Sequence, residues 1–354
     1  MSAYISLILF LALYFISPYW DRLPLIKRKV ILTYLFVTCV IIIGFRNPDN
    51  WIDTAAYVQS FGFTKTLASF SFIDEHSEYS EKGYYLLCVI IKTFSSSHLV
   101  YLMVIGLLSM TFFFKSLRRY CVFPVLGLCI YIARYMLARD MNQMRAGLAI
   151  SIVISFTYLL ASKNKNDEIK YVLVCWLASF IHTSMLAAIP IIVFNHIKMN
   201  RKWIYIGILA SFFISGAFSQ QIMDFISQSE TIQDMATDYV DKEGDNAKAY
   251  AADLTNPMIY YQCLILFFYT YMEKKLAPMS KYYYVFRDGY FMGTVILIVL
   301  CQYAVLSARV STIFATFEVF MIPMIIKGLP KPYQVVAYIA LLAPMVVFFN
   351  YNMH

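Results

Sequence analysis

Arg134, Arg139, Asp140 and Arg145 crowd a stretch of twelve residues between two strongly apolar runs. A guanidinium deep in a membrane span costs about 2.5–3.5 kcal/mol on insertion scales, so one kept there faces a polar cavity or an anion. Arg145 stands in Met144-Arg145-Ala146-Gly147, and Ala146, Gly147 and Ser151 are small enough for a helix or ligand to approach the backbone closely. The competing role for Arg145 is an interfacial anchor that snorkels to the headgroups. Asp140 either neutralises one of the arginines or belongs to a solvated turn with an ion pair. Arg309, in Ser307-Ala308-Arg309-Val310-Ser311, repeats the pattern where a later apolar run ends.

Groups able to move protons lie in two further places. His182 sits in Phe180-Ile181-His182-Thr183-Ser184, where one apolar run finishes and the next begins, as a proton acceptor or phosphate donor poised near neutral pH. The alternative is a hydrogen-bonded packing histidine. Upstream, Arg46 leads a polar stretch in which Asp53 and Tyr57, four residues apart, share a face if the segment is helical, and Glu81 precedes Lys82-Gly83-Tyr84. Asp53 and Glu81 read as a base, as acceptors for sugar hydroxyls, or as helix-capping acids in a solvated loop. Arginines beside them bind phosphate through a planar fork of donors. Asp53, Glu81 and His182 remain the candidates for the base, with nothing in the pattern to choose among them.

These residues need a scaffold, and the composition says which. Hydrophobic residues make up 60% of the 354 and charged residues 14%, with a mean hydropathy of +0.63. A soluble domain has roughly 45–50% apolar and 25% charged residues, so residues 1–354 read as a single integral membrane domain. Apolar runs near 3–17, 30–45, 98–114, 121–136, 143–161, 169–181, 184–197, 203–219, 258–272, 286–306, 310–326 and 334–350 predict an all-α polytopic protein with about twelve spans, within a range of eleven to thirteen. Alternate loops on one side collect 19 of the 29 basic residues, while the other side receives 15 of the 21 acidic residues. The positive-inside rule then turns the acidic side outward, with both termini on it. Tyr4–Ile16 lacks a basic flank and a small-residue cleavage site, and so reads as a retained first span.

Two outward loops are long, residues 46–97 and 220–257, the second with Asp238, Asp241, Glu243 and Asp245. Within the first, Tyr84–Phe94 is apolar but too short to span, which predicts a re-entrant or interfacial helix. The seven cysteines lie mostly inside apolar runs with no Cys-x-x-Cys pair, as packing residues and not a disulfide framework.

Several function classes lose their signals. No nucleotide-binding glycine loop, Gly-x-Ser-x-Gly elbow or His-Glu-x-x-His is present. The five histidines make no spaced ligand set, so no metal and no cofactor is expected. The net charge of +8 is divided among short loops, unlike the clustered basic face of a nucleic-acid binder.

In their order along the chain, Arg46 with Asp53-Thr54 and Tyr57, Glu81-x-Gly83-Tyr84, the Arg145 helix, Phe180-Ile181-His182-Thr183-Ser184 and the late Arg309 resemble the EpsG-like branch of O-antigen and exopolysaccharide polymerases of the Wzy type. Ala146 departs from that family, which often has glutamine after its arginine. The resemblance implies a GT-C-like membrane glycosyltransferase of the bacterial inner membrane. Such an enzyme joins undecaprenyl-diphosphate-linked oligosaccharide repeats on the periplasmic face, among membrane lipid and beside a chain-length regulator, a flippase and a ligase. Arg145 and Arg309 would then hold the diphosphate with Arg46 and Arg139 assisting, and Tyr57, Arg134 and Asp140 in support. A flippase of lipid-linked oligosaccharides shares these features without needing a base. A membrane acyltransferase generally places a histidine in an early span, and the first 75 residues contain none. A metal-dependent variant would use Asp49 and Asp53, but no Asp-x-Asp pair supports it. Polymer formation is therefore expected to persist in a strong chelator such as EDTA, and its loss, restored by a divalent cation, would establish a metal site.

Overall fold

Apolar runs headed by prolines and asparagines fold as helices here, and every regular element among the described residues is helical. The computed structural model describes residues 2–71, 81–162, 164–197, 199–227 and 253–353. Helix starts follow local chemistry. Proline stands in the first turn at Pro124 and Pro257, where its missing N–H costs nothing. The Asn164 and Asn256 side chains accept from the backbone N–H of Asn166 (3.1 Å) and Met258 (2.9 Å), satisfying donors that the helix cannot.

The chain divides into two compact units. The first, residues 1–189 with 322–354, holds α1 (Ser2–Ile16), α2 (Leu25–Gly44), α3 (Ile52–Phe63), α4 (Lys82–Phe94), α5 (His98–Tyr120), α6 (Pro124–Tyr131), α7 (Met144–Phe156) and α8 (Lys165–Ser179). Its core near α3–α5 is aromatic. Phe61 stacks on Tyr101 with centroids 4.4 Å apart, and Tyr84, Cys88, Val89, Ile105 and Met144 pack around them. The second unit, residues 190–321, holds α9 (Ile191–His196), α10 (Arg201–Ser227), α11 (Pro257–Tyr271), α12 (Glu273–Leu276), α13 (Tyr283–Val299) and α14 (Ala304–Ala315). Last come α15 (Glu318–Gly328), in which the unit boundary falls, and α16 (Lys331–Tyr351) of the first unit.

The helical membrane character is plain, and the spans are uneven. Ala3–Arg22, His98–Tyr120, Met144–Ser162 and Lys331–Tyr351 are long and apolar enough to cross a bilayer. Leu306–Ala315 and Glu318–Gly328, bent by 46°, make a fifth if taken together. Other expected spans fold as helices but carry charge or change geometry. Three basic residues, Lys27 to Lys29, occupy the start of α2. The run expected over 121–136 is α6 followed by a π-helical stretch, Ile132–Asp140. The run expected over 184–197 begins as a 3-10 turn, Thr183–Ala188, before α9. The break expected at Arg309 falls earlier, in the turn around Gln302, so Arg309 lies within α14 and not at a helix end.

Within the stretch expected as the first long outward loop, the described residues form α3 and α4. At 13 residues α4 is about 20 Å long, short of the hydrocarbon thickness. The acidic run of the second loop, Asp238 to Asp245, lies outside the described residues. Six of the seven cysteines are buried, Cys263 is half-buried, and all are free thiols.

In the second unit the buried Arg287 ties three segments together. It donates to Asp288 Oδ1 at 2.7 Å, to Glu273 Oε2 at 3.3 Å and to the Met199 carbonyl at 2.8 Å. Glu318, fully buried, accepts from the Tyr290 hydroxyl at 3.1 Å. These donors supply the polar partners that a buried carboxylate needs.

In the first unit, close helix approach rests on glycine where α2 meets α5. A Cβ on Gly106 would stand 2.8 Å from Ile43 Cγ2, itself fully buried. Gly106→Val is expected to lower stability by about 1–3 kcal/mol, the range for overpacking a close-packed interior. Thermal unfolding of the detergent-solubilised protein measures it, and an unchanged midpoint would contradict the packing described.

Candidate functional site

The π-helical stretch ends on a buried carboxylate. Asp140 accepts from the Tyr131 hydroxyl at 2.6 Å and from the Ser109 hydroxyl, and a Cβ on Gly147 would lie 3.1 Å from its Oδ1. The hydroxyls therefore seat Asp140 over Gly147 and fix how the chain enters α7. π-helical turns are rare and concentrate at functional sites. Arg139, 4% exposed, stacks on the Tyr135 ring at 3.9 Å. Arg134 Nε donates to the Tyr135 hydroxyl at 3.0 Å, and its guanidinium lies over Phe348 at 4.7 Å. Asn352, just past α16, donates to the carbonyls of Ala133 and Arg134, both at 3.1 Å.

The turn that follows receives α3. Asn142 Oδ1 accepts from the Asp53 backbone N–H at 3.0 Å, and the Thr54 hydroxyl donates to the Met141 carbonyl at 2.7 Å. Beside them Arg46, only 3% exposed, donates to the Ile43 carbonyl at 2.5 Å and to Thr54 Oγ1 at 3.4 Å, against the Met144 sulfur. Burial pulls the Arg46 pKa down to about 10, against the opposing pull of Tyr84, Tyr101 and Asp140. It stays charged at neutral pH and ties the end of α2 to α3 and α7.

Because α3 is helical, Asp53 and Tyr57 do share a face, and Tyr57 reaches Arg145. Arg145 Nε donates to the Tyr57 hydroxyl at 3.1 Å with the guanidinium 5.1 Å from the ring centroid, a hydrogen bond and a cation–π contact on one side chain. Burial raises the Tyr57 phenol above its ordinary pKa, and Arg145 draws it back. A second Arg145 nitrogen pairs with Glu81 Oε2, and Glu81 Oε1 lies 3.3 Å from His182 Nδ1. Glu81 is 9% exposed, His182 16% and Arg145 23%, so the acid is sheltered and its two partners retain an open face. Residues 57, 81, 145 and 182, from four separate segments, thus meet in one charged cluster.

The backbone explains why Glu81 meets His182. The N–H groups of Gly83 and Tyr84 both donate to the Phe180 carbonyl, at 2.9 and 3.1 Å, so the turn after α8 caps the start of α4. A Cβ on Gly83 would lie 2.6 Å from Phe180 Cβ and 2.8 Å from its carbonyl oxygen. Only glycine lets the two segments close. Below them Tyr84 and Tyr101, both fully buried, share a hydroxyl–hydroxyl bond of 2.7 Å.

Sequence pattern named the charged members of this cluster. It did not find Asn142 and Thr54 as the ties between α3 and the turn, the Phe180 carbonyl as a helix cap, or the Tyr84–Tyr101 pair. The glycine after Glu81 was the available signal for close approach. Arg309 belongs to the second unit, half-buried on α14. Among the described residues no three of His, Cys, Asp or Glu gather as a metal site.

Gly83→Ala pushes against backbone and not a flexible side chain. It is expected to cost about 1–3 kcal/mol and to part Glu81 from His182. Activity should then fall about tenfold or more while Gly62→Ala, where a Cβ meets nothing, leaves both activity and melting point unchanged. Equal behaviour of the two variants would remove the close approach from the site.

The chain is 20% identical over 301 residues, 82% of its length and 78% of the relative's, to the amylovoran biosynthesis protein AmsC of Erwinia amylovora. No solved structure matches. The EpsG family pattern matches residues 29–354, so that most of α2, all of α3 to α16 and every residue of the cluster lie within it, and the chain belongs to the EpsG family.

Proposed function

We propose that this protein is a polysaccharide polymerase, a GT-C-like glycosyltransferase that joins undecaprenyl-diphosphate-linked oligosaccharide repeats at the periplasmic face of the bacterial inner membrane. Membership of the EpsG family and a relative named for amylovoran biosynthesis support this reading. The observation that carries it is Arg145, partly exposed and held by Glu81 and Tyr57 beside His182.

Charge grows on a diphosphate as the glycosyl bond breaks. A guanidinium fixed at the edge of a low-dielectric interior stabilises that charge without reorganising at the moment of reaction. Arg145 presents a fork of donors suited to two phosphoryl oxygens. Arg46 and Arg139, being buried, contribute positive field and hold the entry to α7. Arg309 is assigned to the diphosphate on the family resemblance alone. The acceptor hydroxyl loses its proton to one of Asp53, Glu81 and His182. About twelve crossings with both termini outward complete the proposal, with the acidic loops on the side where the repeats are joined.

Reconstitution with purified lipid-linked repeats tests the reading, since a polymerase yields laddered products on a gel and a flippase only moves the repeats. Arg145→Lys keeps the charge but removes the fork. Polymer is expected to fall by about 10²-fold, equivalent to about 2.7 kcal/mol, with membrane insertion unchanged. Polymer at the wild-type level would take Arg145 out of the site.

A further inference from the structure

Glu81 commits each carboxylate oxygen to a different element. Oε2 takes the Arg145 guanidinium at the start of α7, and Oε1 faces His182 Nδ1 at 3.3 Å in the turn after α8. The two bonds from Gly83 and Tyr84 to the Phe180 carbonyl hold acid and imidazole in register. An imidazole that donates its Nδ1–H to a carboxylate is fixed in the tautomer whose Nε2 carries the lone pair. His182 and Arg145 keep 16% and 23% of their surface, enough for each to meet a ligand while Glu81 stays behind them.

We propose that Glu81 couples donor binding to proton removal, a role that rests on the polymerase reading above. A diphosphate offers the Arg145 fork more charge than one carboxylate, so the guanidinium turns to it and releases Glu81 Oε2. The carboxylate, still beside His182, then stabilises the imidazolium that forms as Nε2 takes the proton of the acceptor hydroxyl. The acceptor oxygen's electron pair makes the new glycosidic bond at the donor's anomeric carbon. The bond from that carbon to the diphosphate oxygen breaks with its electron pair, and the leaving group departs as an anion held by Arg145. The imidazolium later returns its proton to that anion or to water. His182 is the catalytic base, and Glu81 is a positioning residue whose grip on it depends on where Arg145 points. Proton removal is thereby withheld until a donor is bound.

The test uses the full chain in nanodiscs. Undecaprenyl diphosphate serves as the binding probe, and lipid-linked repeats extracted from polymerase-deficient cells serve as the substrate. Glu81→Gln is expected to lower kcat about tenfold or more yet bind undecaprenyl diphosphate at least as tightly as the wild type, because Arg145 no longer leaves a carboxylate to reach phosphate. His182→Ala should lose on the order of 10²-fold in turnover with binding unchanged, and free imidazole should restore part of it. A merely structural Glu81 would weaken binding and turnover together. Weaker binding by Glu81→Gln, or wild-type turnover by His182→Ala, overturns the coupling while wild-type ladders keep the polymerase reading intact. Absence of ladders from the wild type overturns the polymerase reading, and this inference with it.

Discussion

An ionised side chain inside a helical membrane unit is tolerated only when another group meets its charge, and the pairing of Arg145 with Glu81 is where this chain meets that constraint at a surface a ligand can reach. Removing either partner leaves the other uncompensated in a poor solvent for charge, a larger penalty than the pair's own net contribution. The pair therefore acts as a constraint on everything around it. The turn before α7, the docking of α3 on that turn and the capping of α4 by Phe180 all serve to keep two side chains 64 residues apart in sequence within reach of one another.

The surrounding polar groups divide by exposure. Arg46, Arg139 and Asp140 are exposed by only a few per cent and set their charged groups against carbonyls, hydroxyls and a tyrosine ring. Such contacts set backbone geometry. Arg145 and His182 keep part of their surface while their polar atoms are held by Tyr57 and Glu81. That asymmetry separates the groups that build the site from those that meet a substrate. In the second unit Arg287 and Glu318 are buried and engaged with neighbours of their own unit.

Small residues do a share of the positioning. Gly83, Gly106 and Gly147 each stand where a Cβ would strike a neighbour, respectively the Phe180 backbone, the Ile43 side chain and the Asp140 carboxylate. In an interior packed nearly as densely as a crystal, a missing methyl group decides which segments approach. The pattern of small residues beside Arg145 reported such an approach, and Asp140 of the same chain segment is what fills it.

Composition and periodicity by themselves determined the helical membrane class, the placement of basic residues along the chain and the short list of residues with chemistry to offer, because hydrophobic run length and charge are local properties. The short helix at 82–94 and the shared face of Asp53 and Tyr57 were legible for the same reason. Only tertiary structure decided that Tyr57, Glu81, Arg145 and His182 meet, that Arg46 and Arg139 turn into the core, and that the helix carrying Arg309 runs through that residue instead of ending there. Side-chain direction, helix breaks and pairings between distant segments arise from packing and from hydrogen bonds across the fold. No window of neighbouring residues contains them.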